Sequence, residues 1–135
     1  MRQAGHGWQL ARSVRMSGAT GRSGVRAATG WYREAVIYAV QVQTFRDSDG
    51  DGCGDFRGLA QSLDYLRDHG VNCLWLLPFY VSGGRDNGYD IVDHRAIERP
   101  IGTFDDFHAC MAEAKRRGFR VILDLVGNHT SDQHP

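Results

Sequence analysis

Cysteine is scarce in this sequence of 135 residues, and long apolar runs are missing from it. The three cysteines are odd in number and lack the spacing of a metal site: Cys53, Cys73 and Cys110. This pattern argues against a disulfide scaffold and a zinc site, and it favours a reducing compartment. No apolar stretch approaches the roughly eighteen residues of a membrane span. We therefore expect a cytoplasmic protein that has no membrane partner.

Acidic residues are missing from the first thirty positions, which carry five arginines. This segment is rich in Gly, Ser and Ala, and its apolar residues are too few to offset the chain entropy lost on folding. We interpret residues 1–30 as a disordered Arg/Gly/Ser-rich leader, either a flexible tail or an over-extended gene start that precedes Met16. An organellar transit peptide is the alternative.

A basic stripe is missing from the rest of the chain. Residues 31–135 carry eleven basic and sixteen acidic side chains. Because nucleic acid binding needs clustered positive charge, this balance argues against a nucleic acid partner. The hydrophobic content of the whole chain, 41%, is typical of a globular protein and is sufficient for a core.

Apolar patterns in residues 31–135 alternate between strand and helix. Three β-branched or aromatic runs are typical of buried strands: residues 35–45, 71–78 and 119–126. Two amphipathic helices lie between them, the first with Phe56, Leu59, Leu63 and Leu66 before Gly70, and the second capped by Thr103 with Phe104, Phe107, Met111 and Ala114 as its apolar stripe. A polar loop is expected over residues 82–100. The order is βαβαβ, and right-handed crossovers would make the strands parallel.

Two architectures continue such a pattern. A doubly wound sheet usually has a glycine-rich phosphate loop after its first strand, but the aspartates of residues 47–55 would repel a phosphate. The (β/α)8 barrel is favoured, and it needs about 250 residues. We therefore predict an α/β fold, a partial TIM (β/α)8 barrel with its first three strands and two intervening helices, truncated after strand three. Residues 31–135 would be the amino-terminal part of a catalytic domain.

The loop over residues 47–55 places carboxylates at alternate positions around glycines, as oxygen-only coordination of Ca²⁺ requires. It resembles an EF-hand loop as far as the sixth position, but Gly58 stands where that loop has a bidentate glutamate. We predict a calcium loop of another type, and a plain acidic turn is the alternative. The predicted ligands are the side chains of Asp47, Asp49, Asp51 and Asp55 and the backbone carbonyl of Cys53.

Two further polar segments follow the second and third predicted strands. Residues 85–90 place carboxylates beside the ring of Tyr89, a combination suited to the hydroxyls and the apolar face of a sugar. A polar loop with a turn at Asn87 would look the same. Asp124 interrupts an apolar strand and needs a partner, because burying an unpaired carboxylate is costly. His129 follows it and is either a ligand-binding or a structural histidine.

Taken together, these segments resemble glycoside hydrolase family 13, the α-amylase family. The string WLLPFY, the loop RDNGYDI, Pro100 with Gly102 and Thr103, and the D-x-V-x-N-H pattern of residues 124–129 have the family's order and spacing. The resemblance implies that Asp86, Tyr89 and His129 line the subsite for the non-reducing glucose. It implies supporting roles behind that subsite for Asp90, Asp124 and Asn128. It also likens the loop over residues 47–55 to the calcium loop of the oligo-1,6-glucosidase and trehalose synthase branch.

The resemblance implies a retaining mechanism on α-glucosidic bonds, with an aspartate nucleophile and a glutamate acid/base. Both are expected beyond Pro135, so this chain alone would be inactive and none of its residues is predicted to be catalytic. Within the family, the sequence motifs are most similar to those of the trehalose synthase branch. Enzymes of that branch interconvert maltose and trehalose without an organic cofactor. An α-glucosidase or α-amylase-type hydrolase is the alternative, and a non-catalytic βαβαβ module that binds calcium or sugar is another.

Overall fold

The computed structural model describes residues 30–135, so the leader predicted for residues 1–30 lies outside the described residues except for Gly30. A short 3₁₀ helix, Trp31–Arg33, opens this part and another, Arg99–Ile101, follows the fourth strand. The remaining elements in chain order are β1 (Ile37–Val40), α1 (Val42–Phe45), α2 (Phe56–Gln61), α3 (Leu63–Asp68), β2 (Cys73–Leu76), β3 (Tyr80–Ser82), β4 (Ile91–Ile97), α4 (Phe104–Arg116) and β5 (Arg120–Leu123). Within this region no helix has the length and apolarity needed to cross a membrane.

Three strands form a parallel sheet in the order β1, β2, β5. Ile37 pairs with Cys73, and Cys73 pairs with Arg120, so the three strands begin at the same level. The predicted βαβαβ order is present, with α2 and α3 connecting the first pair and α4 following the second strand. Because the strands are parallel, the loops at their carboxyl ends lie at one edge of the sheet.

The first strand differs from the prediction for residues 35–45. Its ladder covers Ile37–Val40 only, and the chain then turns into α1. The sequence pattern predicted a buried strand, but Ile37 is 48% exposed and Tyr38 is 40% exposed. This prediction was wrong for the described residues because β1 lies at the edge of their sheet, with a neighbour on one side only.

The predicted polar loop over residues 82–100 contains most of an antiparallel pair, β3 with β4. Strand β4 buries Ile91 and Ile97 at its two ends and exposes Asp93, His94 and Arg95 between them. Because these three polar residues separate the apolar ones, the segment contains no continuous apolar run that would indicate a strand. The prediction of a loop was therefore wrong for this segment, which is a short two-stranded sheet beside the parallel one.

The first predicted helix is two helices that meet at Ser62. The hydroxyl of Ser62 donates to the Gly58 carbonyl at 3.0 Å, and a break at this residue separates α2 from α3. The apolar stripe is as predicted, since its four members are buried: Phe56, Leu59, Leu63 and Leu66. Helix α3 ends before Gly70, whose φ of 83° suits glycine, and the Val71 N–H returns to the Leu66 carbonyl at 3.1 Å.

The second predicted helix, α4, begins with a capping box. The Thr103 hydroxyl accepts the Asp106 N–H at 3.2 Å, and the Asp106 carboxylate accepts the Thr103 N–H at 3.0 Å. The predicted apolar stripe is partly wrong. Phe104 was assigned to it but is 45% exposed, whereas Cys110 was not assigned to it and is buried. Phe104 is the first helical residue, and at that position the helix has not yet reached the core.

The core fills the space between the helices and one face of the parallel sheet. Strand residues on that face alternate with exposed ones, and they include Val40, Leu74 and Leu76. Phe56 packs edge-to-face on Phe79 and on Phe107, with ring centroids 5.3 and 5.4 Å apart. The opposite face of the sheet is only partly covered by the described residues: Cys73 on it is buried, whereas Trp75 is 40% exposed.

Candidate functional site

The best connected part of the candidate site joins the loop before β4 to the residue after β5. The Tyr89 hydroxyl donates to Asp124 Oδ2 at 2.7 Å, and both side chains are half-buried. Tyr89 is therefore the partner that Asp124 was expected to need. This hydrogen bond to the carboxylate, together with burial, raises the pKa of the Tyr89 phenol. The Tyr89 hydroxyl therefore remains protonated and able to donate at physiological pH.

The loop over residues 85–90 is held from within by Asp90. Its carboxylate oxygens accept the backbone N–H of Arg85 at 3.2 Å and that of Asp86 at 3.3 Å. The Tyr89 N–H returns to the Asp86 carbonyl at 2.9 Å, which closes a tight turn. Asn87 in this turn has a φ of 48°, so the turn expected at this position is present. Asp86 itself is exposed, and its carboxylate has no protein donor within residues 30–135.

His129 lies on the segment that follows β5 and is exposed. Its Nδ1 lies 3.2 Å from the Asn128 side-chain nitrogen, and no hydrogen bond joins it to Asp86 or Tyr89 among the described residues. The structure thus brings Tyr89 and Asp124 into direct contact and groups Asp90 with Asp86. It places Asn128 and His129 as a second pair beyond Asp124 in the chain.

The acidic loop after α1 brings three of the predicted metal ligands together. One carboxylate oxygen from each of Asp47, Asp49 and Asp55 lies within 4.8 Å of the others. Asp47 accepts the N–H of Gly50 at 2.6 Å and that of Gly52 at 2.8 Å, and these hydrogen bonds lower its pKa. Three charged oxygens at this separation repel one another, so the donor set fits a divalent cation that prefers oxygen.

The other two predicted ligands lie in the same loop but outside this cluster. Asp51 is exposed, and its carboxylate accepts the Cys53 N–H at 2.7 Å. The Cys53 thiol is half-buried, and burial together with the surrounding aspartates raises its pKa. A neutral thiol is a poor ligand for a hard cation, so the backbone carbonyl of Cys53, rather than its thiol, remains the predicted ligand.

Asp55 also begins helix α2. Its side chain accepts the Gly58 N–H at 2.7 Å and the Ser48 N–H at 2.8 Å, although the residue is only 7% exposed. Burial by itself raises the pKa of Asp55, but these hydrogen bonds outweigh burial and the pKa is lowered. Asp55 therefore remains ionised and connects the acidic loop to the helix that packs on the sheet.

Sequence reasoning missed the contacts that join the loop before β4 to the end of the described chain. Arg85 Nη1 lies 2.8 Å from Asp132 Oδ2, and the Ser131 N–H donates to the Ile91 carbonyl at 3.0 Å. Arg85 and Asp132 are 47 positions apart, and no periodic pattern relates them. The sequence offered one indication of this contact: the two residues have opposite charges and lie in loops that were predicted at the same edge of the sheet.

The described residues form three parallel strands with polar loops at their carboxyl ends, which is the arrangement of a partial α/β barrel. Tyr89 and Asp124 are hydrogen-bonded at that edge. The family model for the alpha amylase catalytic domain matches residues 37–135. The chain belongs to this family.

Curated relatives agree with that assignment. The chain is 56% identical over 105 residues to a trehalose synthase of Pimelobacter sp. (strain R48), an alignment that covers 78% of this chain and 18% of the relative. It is 51% identical over 104 residues to the trehalose-6-phosphate hydrolase of Escherichia coli (strain K12), covering 77% of this chain and 19% of the relative. An oligo-1,6-glucosidase of Heyndrickxia coagulans is 46% identical over 106 residues, covering 78% and 19%. The chain thus spans about a fifth of the length of these relatives.

Solved structures show the same fold. The trehalulose synthase MutB from Pseudomonas mesoacidophila MX-45 superposes with a TM-score of 0.74 at 49% identity, covering 77% of this chain and 19% of MutB. A MutB mutant solved in complex with its substrate sucrose gives the same TM-score at 48% identity, covering 78% and 19%. The predicted α/β class and partial TIM (β/α)8 barrel are confirmed by these alignments. The chain corresponds to about a fifth of each barrel enzyme.

Proposed function

We propose that residues 82–90 and 124–129 form part of the glucose subsite of a retaining enzyme that acts on α-glucosidic bonds. The observation that carries this proposal is the hydrogen bond from Tyr89 to Asp124, beside an Asp86 carboxylate without a protein donor among the described residues. A fixed aromatic face next to a free carboxylate matches the two surfaces of a pyranose, one apolar and one hydroxyl-bearing.

In this proposal each side chain binds or orients. Asp86 accepts hydrogen bonds from sugar hydroxyls, Tyr89 stacks on the ring, and His129 donates or accepts a further hydrogen bond. Asp124 fixes the tyrosine ring through its hydroxyl, and Asp90 fixes the backbone that presents Asp86. We assign the roles of nucleophile and acid/base to none of them, because the resemblance to the family places both groups beyond Pro135.

Trehalose synthase activity, the interconversion of maltose and trehalose, is the specific reaction that we propose. The identity of 56% to a trehalose synthase supports this choice over the hydrolases that are 51% and 46% identical. The test supplies maltose to the complete gene product and resolves the products by anion-exchange chromatography. Trehalose as the main product supports the proposal, and glucose alone overturns it in favour of an α-glucosidase or another hydrolase. Binding of maltose without any product would instead indicate a non-catalytic sugar-binding module.

We also propose that Asp47, Asp49 and Asp55 bind a structural Ca²⁺, with Asp51 and the carbonyl of Cys53 as further ligands. When bound, the ion would neutralise the repulsion among the clustered carboxylates and stabilise the start of α2 through Asp55. The three oxygens within 4.8 Å of one another support this proposal. Scanning calorimetry of the complete gene product should show a higher Tm with Ca²⁺ than with a chelator. The D49N variant should lose most of that increase, and an increase of the same size in D49N would contradict the site.

A cytoplasmic location is the remaining part of the proposal. Its support is the sequence, in which the three cysteines are odd in number and lack the spacing of a metal site, a pattern that favours a reducing compartment. Fractionation of the producing cells checks it.

A further inference from the structure

Two segments that carry the proposed glucose-binding residues come from different parts of the chain and meet at one ion pair. Arg85 directly precedes Asp86, and Asp132 follows His129 by three positions. Arg85 Nη1 and Asp132 Oδ2 are 2.8 Å apart. The ion pair therefore joins the backbone that carries Asp86 to the backbone that carries His129.

The same two segments pack closely beside this ion pair. The buried residue Ser131 donates its N–H to the Ile91 carbonyl at 3.0 Å. A Cβ atom added to Gly83 would lie 2.5 Å from Asp90 Oδ2 and 3.0 Å from Ser131 Oγ, so glycine is what permits the contact. The 129–135 segment is thus attached to the first residue of β4 by a backbone hydrogen bond and to the 82–90 loop by the ion pair.

We propose that Arg85 and Asp132 are positioning residues, which set the distance between Asp86 and His129 across the glucose subsite. This inference rests on the proposed function, because it assigns a purpose to a contact at that same subsite. Neither residue is proposed to touch the sugar. Arg85 is directed to a carboxylate of the neighbouring segment, and its charge is already matched there.

The expected effect is modest because the pair is accessible to water. The Arg85 side chain is 63% exposed and that of Asp132 is 66% exposed, and exposed ion pairs contribute little to overall stability. The fold should therefore survive removal of the pair. Ground-state binding of the sugar should weaken by about two- to fivefold, the range that an exposed pair supports.

The kinetic test compares R85A, D132A and the charge-swapped double variant R85D/D132R in the complete gene product, with maltose as the substrate. Each single variant should raise KM about two- to fivefold and leave kcat within twofold. The double variant should recover at least half of the lost affinity, because opposite charges again face each other. The matched control is R67A, which removes an equally short pair, Arg67 with Asp64, whose side chains are 50% and 53% exposed on α3. Its KM should equal that of the unaltered protein.

A second measurement does not depend on turnover. Hydrogen exchange of residues 129–135 should be faster in R85A and D132A than in the unaltered protein, and it should return toward normal in the double variant. No turnover of maltose by the unaltered protein would overturn the proposed function and leave this exchange result to decide whether the pair holds the segment. Unchanged exchange in the single variants, or faster exchange with an unchanged KM, would overturn the positioning role.

Discussion

Tyr89 joins two strand-end loops through one oxygen atom. Its hydroxyl is 2.7 Å from Asp124 Oδ2, and the residue is half-buried. The Y89F variant keeps the ring but removes the donor and leaves a half-buried carboxylate without it. We expect a loss of about 1.5 to 3 kcal/mol in the free energy of unfolding, as for other hydrogen bonds to charged groups. Denaturant unfolding measures this, and KM for maltose should rise as the ring loses its fixed orientation.

The control for Y89F is Y65F, which changes a tyrosine that is 60% exposed on α3. That variant should leave both the unfolding free energy and KM unchanged. Equal stability of Y89F and Y65F would contradict the role given to the phenol, because the bond to Asp124 would then contribute nothing measurable.

Gly83 offers a second test at the scale of one residue. In G83A the new methyl group would meet Asp90 Oδ2 at 2.5 Å, which forces that carboxylate away from the N–H groups of Arg85 and Asp86. We expect a destabilisation of about 1 to 3 kcal/mol, typical of overpacking. The matched variant is G127A, since a Cβ at Gly127 meets nothing within 4 Å. Thermal unfolding should separate the two variants, and an equal Tm for both would contradict the close packing of the two segments.

Sequence reasoning reached some of these residues and not others. The polar residue Asp124 in an apolar strand pointed to a partner, and Tyr89 provides it. The pair of Arg85 and Asp132 could not be found in the same way, because exposed charges are common and only the fold decides which of them meet. The same holds for Gly83, whose importance comes from the position of Asp90 rather than from its own backbone angle.

Helix α4 shows how the start of an element depends on one carboxylate. Asp106 accepts the Thr103 hydroxyl at 2.6 Å and the Thr103 N–H at 3.0 Å, and it also pairs with Arg57 at 2.8 Å. These contacts, the Thr103 hydroxyl first, lower the pKa of Asp106 from 3.8 to about 2. Asp106 thus connects the capping box of α4 to the neighbouring helix α2.

Because the pKa of Asp106 is lowered in the folded state, the protein should lose stability as the pH falls. The ionised Asp106 stabilises the folded state above pH 4, and that contribution is lost as the pH falls from about 4 to about 2, where the folded state also takes up the proton. The D106N variant should be less stable at pH 7 by about 1 to 2 kcal/mol and should lose less stability than the unaltered protein over this acid range. Urea unfolding at several pH values measures both.

The control is D105N, which removes the same charge from the neighbouring exposed residue in the first turn of α4. It should retain the acid sensitivity of the unaltered protein in this range. The interpretation is contradicted when D106N and D105N respond identically to pH, since the effect would then come from net charge rather than from the capping box.

At the scale of elements, periodicity and caps were enough to predict the parallel strands and the two helical regions. Thr103 and Gly70 marked a helix start and a helix end that the structure contains. The pair β3 with β4 was missed because its exposed residues Asp93, His94 and Arg95 interrupt the apolar pattern. One side of β4 faces water, and its apolar and polar residues do not alternate strictly. A sequence of this kind cannot be distinguished from a polar loop.

The part of the molecule that the structure describes is asymmetric across its parallel sheet. Helices cover one face, whereas the other exposes Ile37 and Trp75, which are 48% and 40% accessible. In the described residues β1 and β5 each have a parallel neighbour on one side only. The relatives are about four times as long as this chain, and the sequence predicted the number of strands but not what packs on that face. Exposed apolar faces and unpaired strand edges promote association.

The sheet face that carries Ile37 and Trp75 can be tested with W75K. This substitution should have opposite effects in the isolated segment and in a complete barrel. Residues 31–135 produced alone should associate in a concentration-dependent way, and W75K should reduce that association by placing a charge on the exposed face. In a chimera in which residues 31–135 replace the matched segment of the Pimelobacter trehalose synthase, further strands would cover this face. There W75K should destabilise the protein by several kcal/mol, because a buried unpaired lysine is costly.

Light scattering on the isolated segment and thermal unfolding of the chimera measure the two effects. The matched variant is Y65K, which makes an aromatic-to-lysine change on the outer surface of α3, where the tyrosine is already 60% exposed. It should change neither the association of the segment nor the Tm of the chimera. A monomeric isolated segment would contradict the expected association. A chimera that tolerates W75K as well as Y65K would show that this face of the sheet is not an interior face, and the placement of these strands in a closed barrel would have to be abandoned.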